Sequence, residues 1–238
     1  MKELTCVISA RLGSTRTPQK MVRPFAGSSL LEILLRKLQG VKNLDPDRIW
    51  LSAYEGEIRA VGEKVGVRIY PRTYESTLEP NTCDVIYRYA WDIPSAYFLV
   101  VNGCNPLLRV ETIERAIEAF QAHDWNSLFT VVERRNFFWS PDGRMLNRFL
   151  GEDKYLATLE TKMVEPIYEA GNSLFIWSGA FLRAHRVFWT MTRDDPHFFP
   201  IPEDEFIDTD DPWQFQLAER LYRGRFGPDA ERPGGPAQ

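Results

Sequence analysis

The stretch Val7-Ile8-Ser9-Ala10-Arg11-Leu12-Gly13-Ser14-Thr15-Arg16-Thr17-Pro18-Gln19-Lys20 decides how this chain is read. Leu4 to Ser9 is an apolar run suited to a buried first strand, and it opens into a loop with three cations, small hydroxyls and a glycine. An open α/β sheet places anionic ligands at the carboxyl end of its first parallel strand. Backbone N–H groups at Gly13 and Ser14 can point at phosphate oxygens, while Arg11, Arg16 and Lys20 supply charge and forked donors. The functional reading is a polyphosphate cradle, and the bland alternative is a solvated basic turn. The loop is neither a Walker loop nor a Gly-x-Gly-x-x-Gly turn.

Outward from this loop the pattern alternates. Ser28 or Ser29 caps a helix that buries Leu30, Leu31, Leu34, Leu35 and Leu38 and ends at Gly40. Arg48 to Tyr54 reads as a strand, Ile58, Val61 and Val65 space a helix that stops at Gly66, and Val67 to Tyr70 form a third strand. Tyr70 to Thr82 is aperiodic with two prolines, as binding loops often are. Asp84 to Trp91 reads as a helix, Ala96 to Val101 as a strand buried on both faces, Ile113 to Phe120 as a helix and Leu128 to Val132 as a strand. Ser173 to Trp177 resumes the sheet, Gly179 to Trp189 is expected to be helical, and Phe206 to Pro212 is expected to end the last strand, with Asp211 capping a final helix. The expected architecture is a doubly wound, mostly parallel α/β sheet.

At 238 residues and 44% hydrophobic composition the chain suits one sizeable α/β domain, or one with a projecting subdomain, expected over 1–222, with a Gly-, Pro- and charge-rich tail expected to be disordered over 223–238. From Glu133 to Ala170 the alternation lapses and aromatics mix with charges. Phe137, Phe138, Trp139, Leu146, Phe149 and Leu150 are more apolar surface than a lone excursion should expose, so 133–170 is expected to be an arm packed against a second copy in a homodimer. Arg134, Arg135 or Arg148 on it could then meet an acceptor's acidic group.

Lys+Arg 29 against Asp+Glu 33 gives a net charge of −4, which argues against a nucleic-acid partner. No signal-peptide core or bilayer-length apolar run is present, so no membrane partner is expected. Cys6, Cys83 and Cys104 are scattered, without zinc or disulfide spacing, which fits a reducing cytoplasm. His123, His185 and His197 form no hydrolytic arrangement.

Ala10-Arg11-x-Gly13-Ser14-Thr15-Arg16-x-Pro18-x-Lys20 resembles the signature loop of the cytidylyltransferase family that holds CMP-Kdo synthetases, CMP-N-acylneuraminate synthetases and spore-coat polysaccharide nucleotidyltransferases. The resemblance extends over roughly Leu4 to Tyr222 and implies a Rossmann-like nucleotidyltransferase. Such an enzyme transfers CMP from CTP to an acidic sugar or sugar-like acceptor in polysaccharide synthesis, releasing pyrophosphate. It implies that Arg11, Ser14, Arg16 and Lys20 bind the triphosphate and that Arg72, Asn81 and Thr82 contact the nucleotide, with Thr82 equally suited to cap the helix behind it. Asp208-Thr209-Asp210 resembles the family's Asp-x-Asp element, whose carboxylates hold Mg²⁺, so Arg11, Lys20, Asp208 and Asp210 are the implied catalytic set. Residues i and i+2 on an extended segment point the same way, which suits that pairing.

Asn102, Cys104 and Asn105 fall where the acceptor is expected. Here the chain departs from the Kdo branch, which has Gln-Gly-Asp-Glu-Pro-Leu with its Asp on the metal, whereas this chain has Asn102-Gly103-Cys104-Asn105-Pro106-Leu107. A thiol does not suit Mg²⁺. The other readings left open are a non-catalytic nucleotide- or sugar-binding relative and the same fold using UTP or GTP.

Overall fold

A computed structural model describes residues 2–78, 80–151 and 160–227. Its strands are β1 (Leu4–Ser9), β2 (Ile49–Ala53), β3 (Arg68–Pro71), β4 (Tyr97–Val101), β5 (Ser127–Arg134), β6 (Ile167–Ser178) and β7 (His197–Pro200). They form one sheet in the order β3-β2-β1-β4-β6-β5-β7. β6 runs antiparallel to β4 and β5, and the other neighbouring pairs are parallel. The sheet is thus mostly parallel, as expected.

Side-chain alternation along the central strands gives the sheet two packed faces. Cys6, Ile8, Leu99, Val101, Leu174 and Ile176 join the core made with α1 (Leu30–Gln39), α2 (Gly56–Val65) and α5 (Val110–Ala122). Val7, Phe98 and Trp177 face the other way, onto α3 (Cys83–Ile86), α4 (Tyr89–Asp92) and α6 (Gly179–His185). On α1 the leucines at 30, 31, 34, 35 and 38 are all buried, each worth about 2 kcal/mol by area. Ser29 Oγ caps that helix by accepting from Glu32 N at 3.2 Å. The last helix, α7 (Pro212–Phe226), starts at a capping box between Asp211 and Gln214 and docks through Phe215 onto Phe25, ring centroids 5.2 Å apart. It thereby closes the chain back onto the segment that leaves the first loop.

Four expectations need correction. The single helix over Asp84 to Trp91 is two turns, α3 and α4, broken where Tyr87 leaves helical geometry and lines the cleft described below. The helix from Gly179 stops at His185, because Arg186 adopts a left-handed conformation. Phe206 to Asp211 is irregular and pairs with no strand. The last strand is instead β7, an edge strand ending at Pro200, a place where proline costs no ladder bond. Arg223 to Phe226, assigned to the tail, continue α7, and 228–238 lie outside the described residues.

The arm's two legs are sheet strands, since Val131 to Arg134 of β5 pair with Ile167 to Ala170 of β6. Farther along, one residue of β5, Thr130, stands opposite four of β6, Gly171 to Leu174. Thr130 Oγ1 pins this bulge by donating to Leu174 O (2.8 Å) and accepting from Leu174 N (3.0 Å). Glycine is required at 171, where a Cβ would stand 2.9 Å from Thr130 O.

Two charged side chains fix the loops at the carboxyl edge of the sheet. Lys37 Nζ, on α1, donates to Pro106 O at 2.9 Å and to Leu108 O, holding the loop after β4. Glu205, almost fully buried, accepts from Arg109 N and Thr112 Oγ1, both at 3.0 Å, and so caps the N-terminus of α5 from a distant part of the chain. Burial pulls the Lys37 ammonium down to about 8 despite Glu205 and Glu111 nearby. Its folded pKa lies below its unfolded one, so between about pH 8 and 10.5 the unfolded chain binds more protons and this residue's contribution to stability rises with pH. Denaturant melts of wild type and Lys37→Met across pH 8–10 should show the wild type gaining about 2 kcal/mol relative to the variant. Parallel profiles would contradict the assignment.

Candidate active site

The carboxyl ends of β1 and β4 and the bulge of β6 enclose a cleft of about 560 Å³. Ser9, Ala10, Arg11, Ser14, Thr15, Arg16, Thr17 and Lys20 line one side, and Asn102, Gly103, Cys104, Asn172, Phe175 and Asp210 also line it. Arg72, Ser76, Ile86 and Tyr87 complete the wall.

The basic loop is shaped by its own backbone. Ser14 N donates to Leu12 O at 2.8 Å, so this N–H is not aimed at a ligand as expected. Leu12 N is held by Glu55 Oε1 at 3.0 Å. Gln19 turns left-handed (φ 54°), and its carbonyl accepts from Val22 N and Arg23 N, both at 3.0 Å, which directs Lys20 back toward the cleft.

The acidic segment reaches the same place without secondary structure. Thr209 is fully buried, and both its N and its Oγ1 donate to Cys104 O at 3.0 Å. With Thr209 turned inward, its neighbours Asp208 and Asp210 point the other way. Cys104 Sγ and one carboxylate oxygen from each aspartate lie within 4.8 Å of one another. Thr17 Oγ1 donates to Asp210 O at 2.7 Å, and Lys20 and Arg16 both pair with the Asp210 carboxylate. Asp208 Oδ1 is cut off from solvent and, among the described residues, accepts no hydrogen bond.

These contacts push the two aspartates apart in acidity. Burial, then the neighbouring Asp210 charge, raises Asp208 above the usual carboxylate range. Burial acts on Asp210 in the same sense, but Lys20 and Arg16 outweigh it and hold Asp210 low. Burial disfavours the Lys20 ammonium, yet Cys104 and Asp210 beside it leave it raised. Cys104 itself is raised by burial, against the pull of Lys20. Among the described residues, Cys104, Asp208 and Asp210 form the group able to hold a cation.

Other sequence-derived candidates fall differently. Arg72 lines the cleft, but its Nε donates to Ser76 Oγ at 2.8 Å and its Nη2 to Ser76 O, which ties it to the 73–77 turn. Arg11 Nη1 donates to Thr77 O of the same turn at 2.6 Å. Asn81 and Thr82 do not line the cleft: Asn81 bridges Glu75 O (3.0 Å) and Thr82 N (2.8 Å), and the Thr82 side chain caps no helix. Asn105, expected on the acceptor, is buried and holds Ser173 Oγ (2.7 Å) and Ile207 N (3.4 Å), whereas Asn102 and Cys104 do face the cleft. Arg134, Arg135 and Arg148 are paired with acids of the arm and its surroundings, Glu169 and Glu203, Glu133 and Glu165 respectively.

Sequence reasoning missed Tyr87, Asn172, Phe175 and Thr209. Only Thr209 carried a signal: a residue between two paired acids on an extended segment has to face inward.

Comparison with known proteins follows the same lines. The family model described as "Cytidylyltransferase" matches residues 5–162. N-acylneuraminate cytidylyltransferase of Oncorhynchus mykiss is 26% identical over 140 residues, 58% of this chain but 32% of that protein, so the chain spans about a third of that relative's length. Pseudaminic acid cytidylyltransferase of Campylobacter jejuni is 23% identical over 238 residues, covering 94% of this chain and 97% of that one. Among solved structures, CMP:2-keto-3-deoxy-manno-octonic acid synthetase complexed with CTP aligns with a TM-score of 0.69 at 11% identity, over 94% of this chain and 100% of that one, a likeness of fold.

The split between the aspartates is testable by stability alone. In chelator at neutral pH, Asp208→Asn should unfold no more easily than wild type and be up to about 1 kcal/mol more stable, because it removes a disfavoured charge. Asp210→Asn should lose about 1–3 kcal/mol, chiefly by taking the carboxylate partner from the half-buried Lys20, since the exposed Arg16 contact is screened. Urea melts of both variants read the difference, and equal destabilisation by the two would refute the assignment.

Proposed function

The chain belongs to the cytidylyltransferase family, and from that premise we propose that it transfers CMP from CTP to an oxygen of an acidic sugar or sugar-like acceptor, with release of pyrophosphate, in glycoconjugate synthesis. One observation carries the reading: the basic loop after β1 meets Asp210 in a single cleft, and the Asp208 carboxylate lies beside Asp210 behind its wall. The relatives named above are named for acidic sugars, which supports that acceptor class.

Attack on the α-phosphorus needs little covalent help from the protein, so catalysis is positioning and charge neutralisation. Arg11, Ser14, Arg16 and Lys20 are assigned to the triphosphate. Arg16 and Lys20 already face a carboxylate, so an incoming polyphosphate exchanges one anionic partner for another rather than filling an empty socket. The turn braced by Arg72 and Arg11, with Tyr87, is assigned to the nucleoside end. Asn102, Asn172 and Phe175 are assigned to the acceptor end. Asp208 and Asp210 are assigned to a divalent cation, and the orphaned Asp208 Oδ1 is what a cation would satisfy. A divalent ion bound there would neutralise phosphate charge and polarise the reacting phosphoryl group.

Pyrophosphate release from CTP, UTP, GTP or ATP with Mg²⁺ and a panel of acidic sugars is the deciding assay, and CTP is expected to be the donor. Lys20→Ala should cost about 2–3 kcal/mol in kcat/KM for CTP, the value of a charge-assisted hydrogen bond to an oxygen that gains charge in the transition state. Turnover equal to wild type would remove the cradle from the mechanism.

The reading includes a homodimer through the arm over 133–170, of which 152–159 lie outside the described residues. Trp139, Leu146, Leu150, Tyr168 and Phe198 are exposed on the arm and the sheet edge beside it, and burial against a second copy would cover them. No helix among the described residues is long and apolar enough to cross a membrane, and a cytoplasmic setting belongs to the same proposal. Light scattering at micromolar concentration should return twice the chain mass, and the double variant Trp139→Glu/Leu146→Glu should return the single mass. A monomeric wild type would end the dimer proposal.

A further inference from the structure

The donor set beside β4 does not match what magnesium prefers. Cys104 Sγ contributes a sulfur to a group whose other members are carboxylate oxygens of Asp208 and Asp210, all within 4.8 Å. Mg²⁺ and Ca²⁺ take oxygen, whereas thiolates select softer divalent ions. Cys6 is buried in the sheet core and Cys83 sits on α3, so neither belongs to the group.

Two observations set Cys104 apart from a cysteine that merely fills space. Asp208 Oδ1, in the same group, is sealed from solvent and meets no hydrogen-bond donor among the described residues, the Asp208 carboxyl leaning only on that of Asp210, a state that costs free energy until a cation or proton occupies it. The turn that presents the thiol is also locked. Cys104 N donates to Asn102 Oδ1 at 2.9 Å, and its carbonyl accepts both bonds from Thr209. A ligand whose backbone is held on both sides is pre-organised for its ion.

We propose that Cys104 is a metal ligand, and that with Asp208 and Asp210 it makes the cation site of this chain prefer a thiophilic divalent ion such as Co²⁺ or Zn²⁺ over Mg²⁺. The inference rests on the cation site proposed above and adds its selectivity. Three protein donors are the complement of sites that keep a coordination position open for water or substrate. Loading releases the thiol proton to solvent, and Lys20, otherwise the partner of Asp210, is left for the polyphosphate.

The test titrates the full-length, reduced, chelator-stripped protein with Co²⁺ alone and follows its absorbance. The wild type should develop a near-ultraviolet sulfur-to-cobalt charge-transfer band at one equivalent together with visible d–d bands, and Mg²⁺ should displace the ion only in large excess. Cys104→Ser should lose the charge-transfer band and bind Co²⁺ at least roughly tenfold more weakly, while Cys83→Ser keeps both. Visible bands without a charge-transfer band, or a charge-transfer band that survives in Cys104→Ser, would overturn the inference and leave the carboxylate site standing. No Co²⁺ bound at all would overturn both.

Discussion

Two carboxylates of like charge are held side by side on a stretch of chain that has no ladder or helix of its own, and the carboxyl edge of the sheet is arranged around that constraint. The work falls to Thr209, whose two donors meet on one carbonyl of the neighbouring loop and turn the flanking acids outward together. The segment is anchored upstream by Glu205 at the head of α5 and downstream by the capping box that starts α7. Lys20 and Arg16 then pair with the outer acid, and among the described residues no donor reaches Oδ1 of the inner one, Asp208. Each contact is ordinary in strength; their common geometry keeps the acids from springing apart.

In the proposed function the cations of the first loop serve two anions in turn, the Asp210 carboxylate with which they are paired and then phosphate. The resident carboxylate would have to be given up first, which would lower apparent affinity for any polyphosphate. A divalent ion on the acid pair would remove that competitor. Metal and nucleotide would then bind with positive coupling through shared partners, with no change of backbone shape.

Much of this was legible in the sequence because it is written in local chemistry. The first strand, the leucine face of α1 with Ser29 and Gly40 at its ends, and the Asp211–Pro212 start of α7 follow from short-range rules. The convergence of Lys20 with Asp210 was legible only through the resemblance, since 190 residues separate them. The rest was hidden for identifiable reasons. Phe206 and Ile207 gave the acid segment the look of a strand, although its hydrogen bonds go to a loop. β7 is edged by prolines, which read as non-strand unless one knows it lies at the sheet's margin. The resemblance places Asn105 and Asn81 beside the ligand, and in the structure both amides bond their own chain. Tyr87 broke a helix whose period was sound on either side.

β6 is at once a wall of the cleft and a leg of the arm, with the bulge at Gly171 to Leu174 between the two roles. In a regular ladder a slip of one residue would invert every side chain along the strand, so a disturbance at the arm would travel to the cleft as a change of face. The surplus residues act instead as an expansion joint. Twist or sliding taken up by the arm's ladder is absorbed within the bulge, where Thr130 clamps the far side and keeps Phe175 and its neighbours in register with β4. The arm is therefore free to diverge in length and sequence between relatives while the register of the cleft stays fixed, so new contacts can evolve at one end of a strand whose other end must not move.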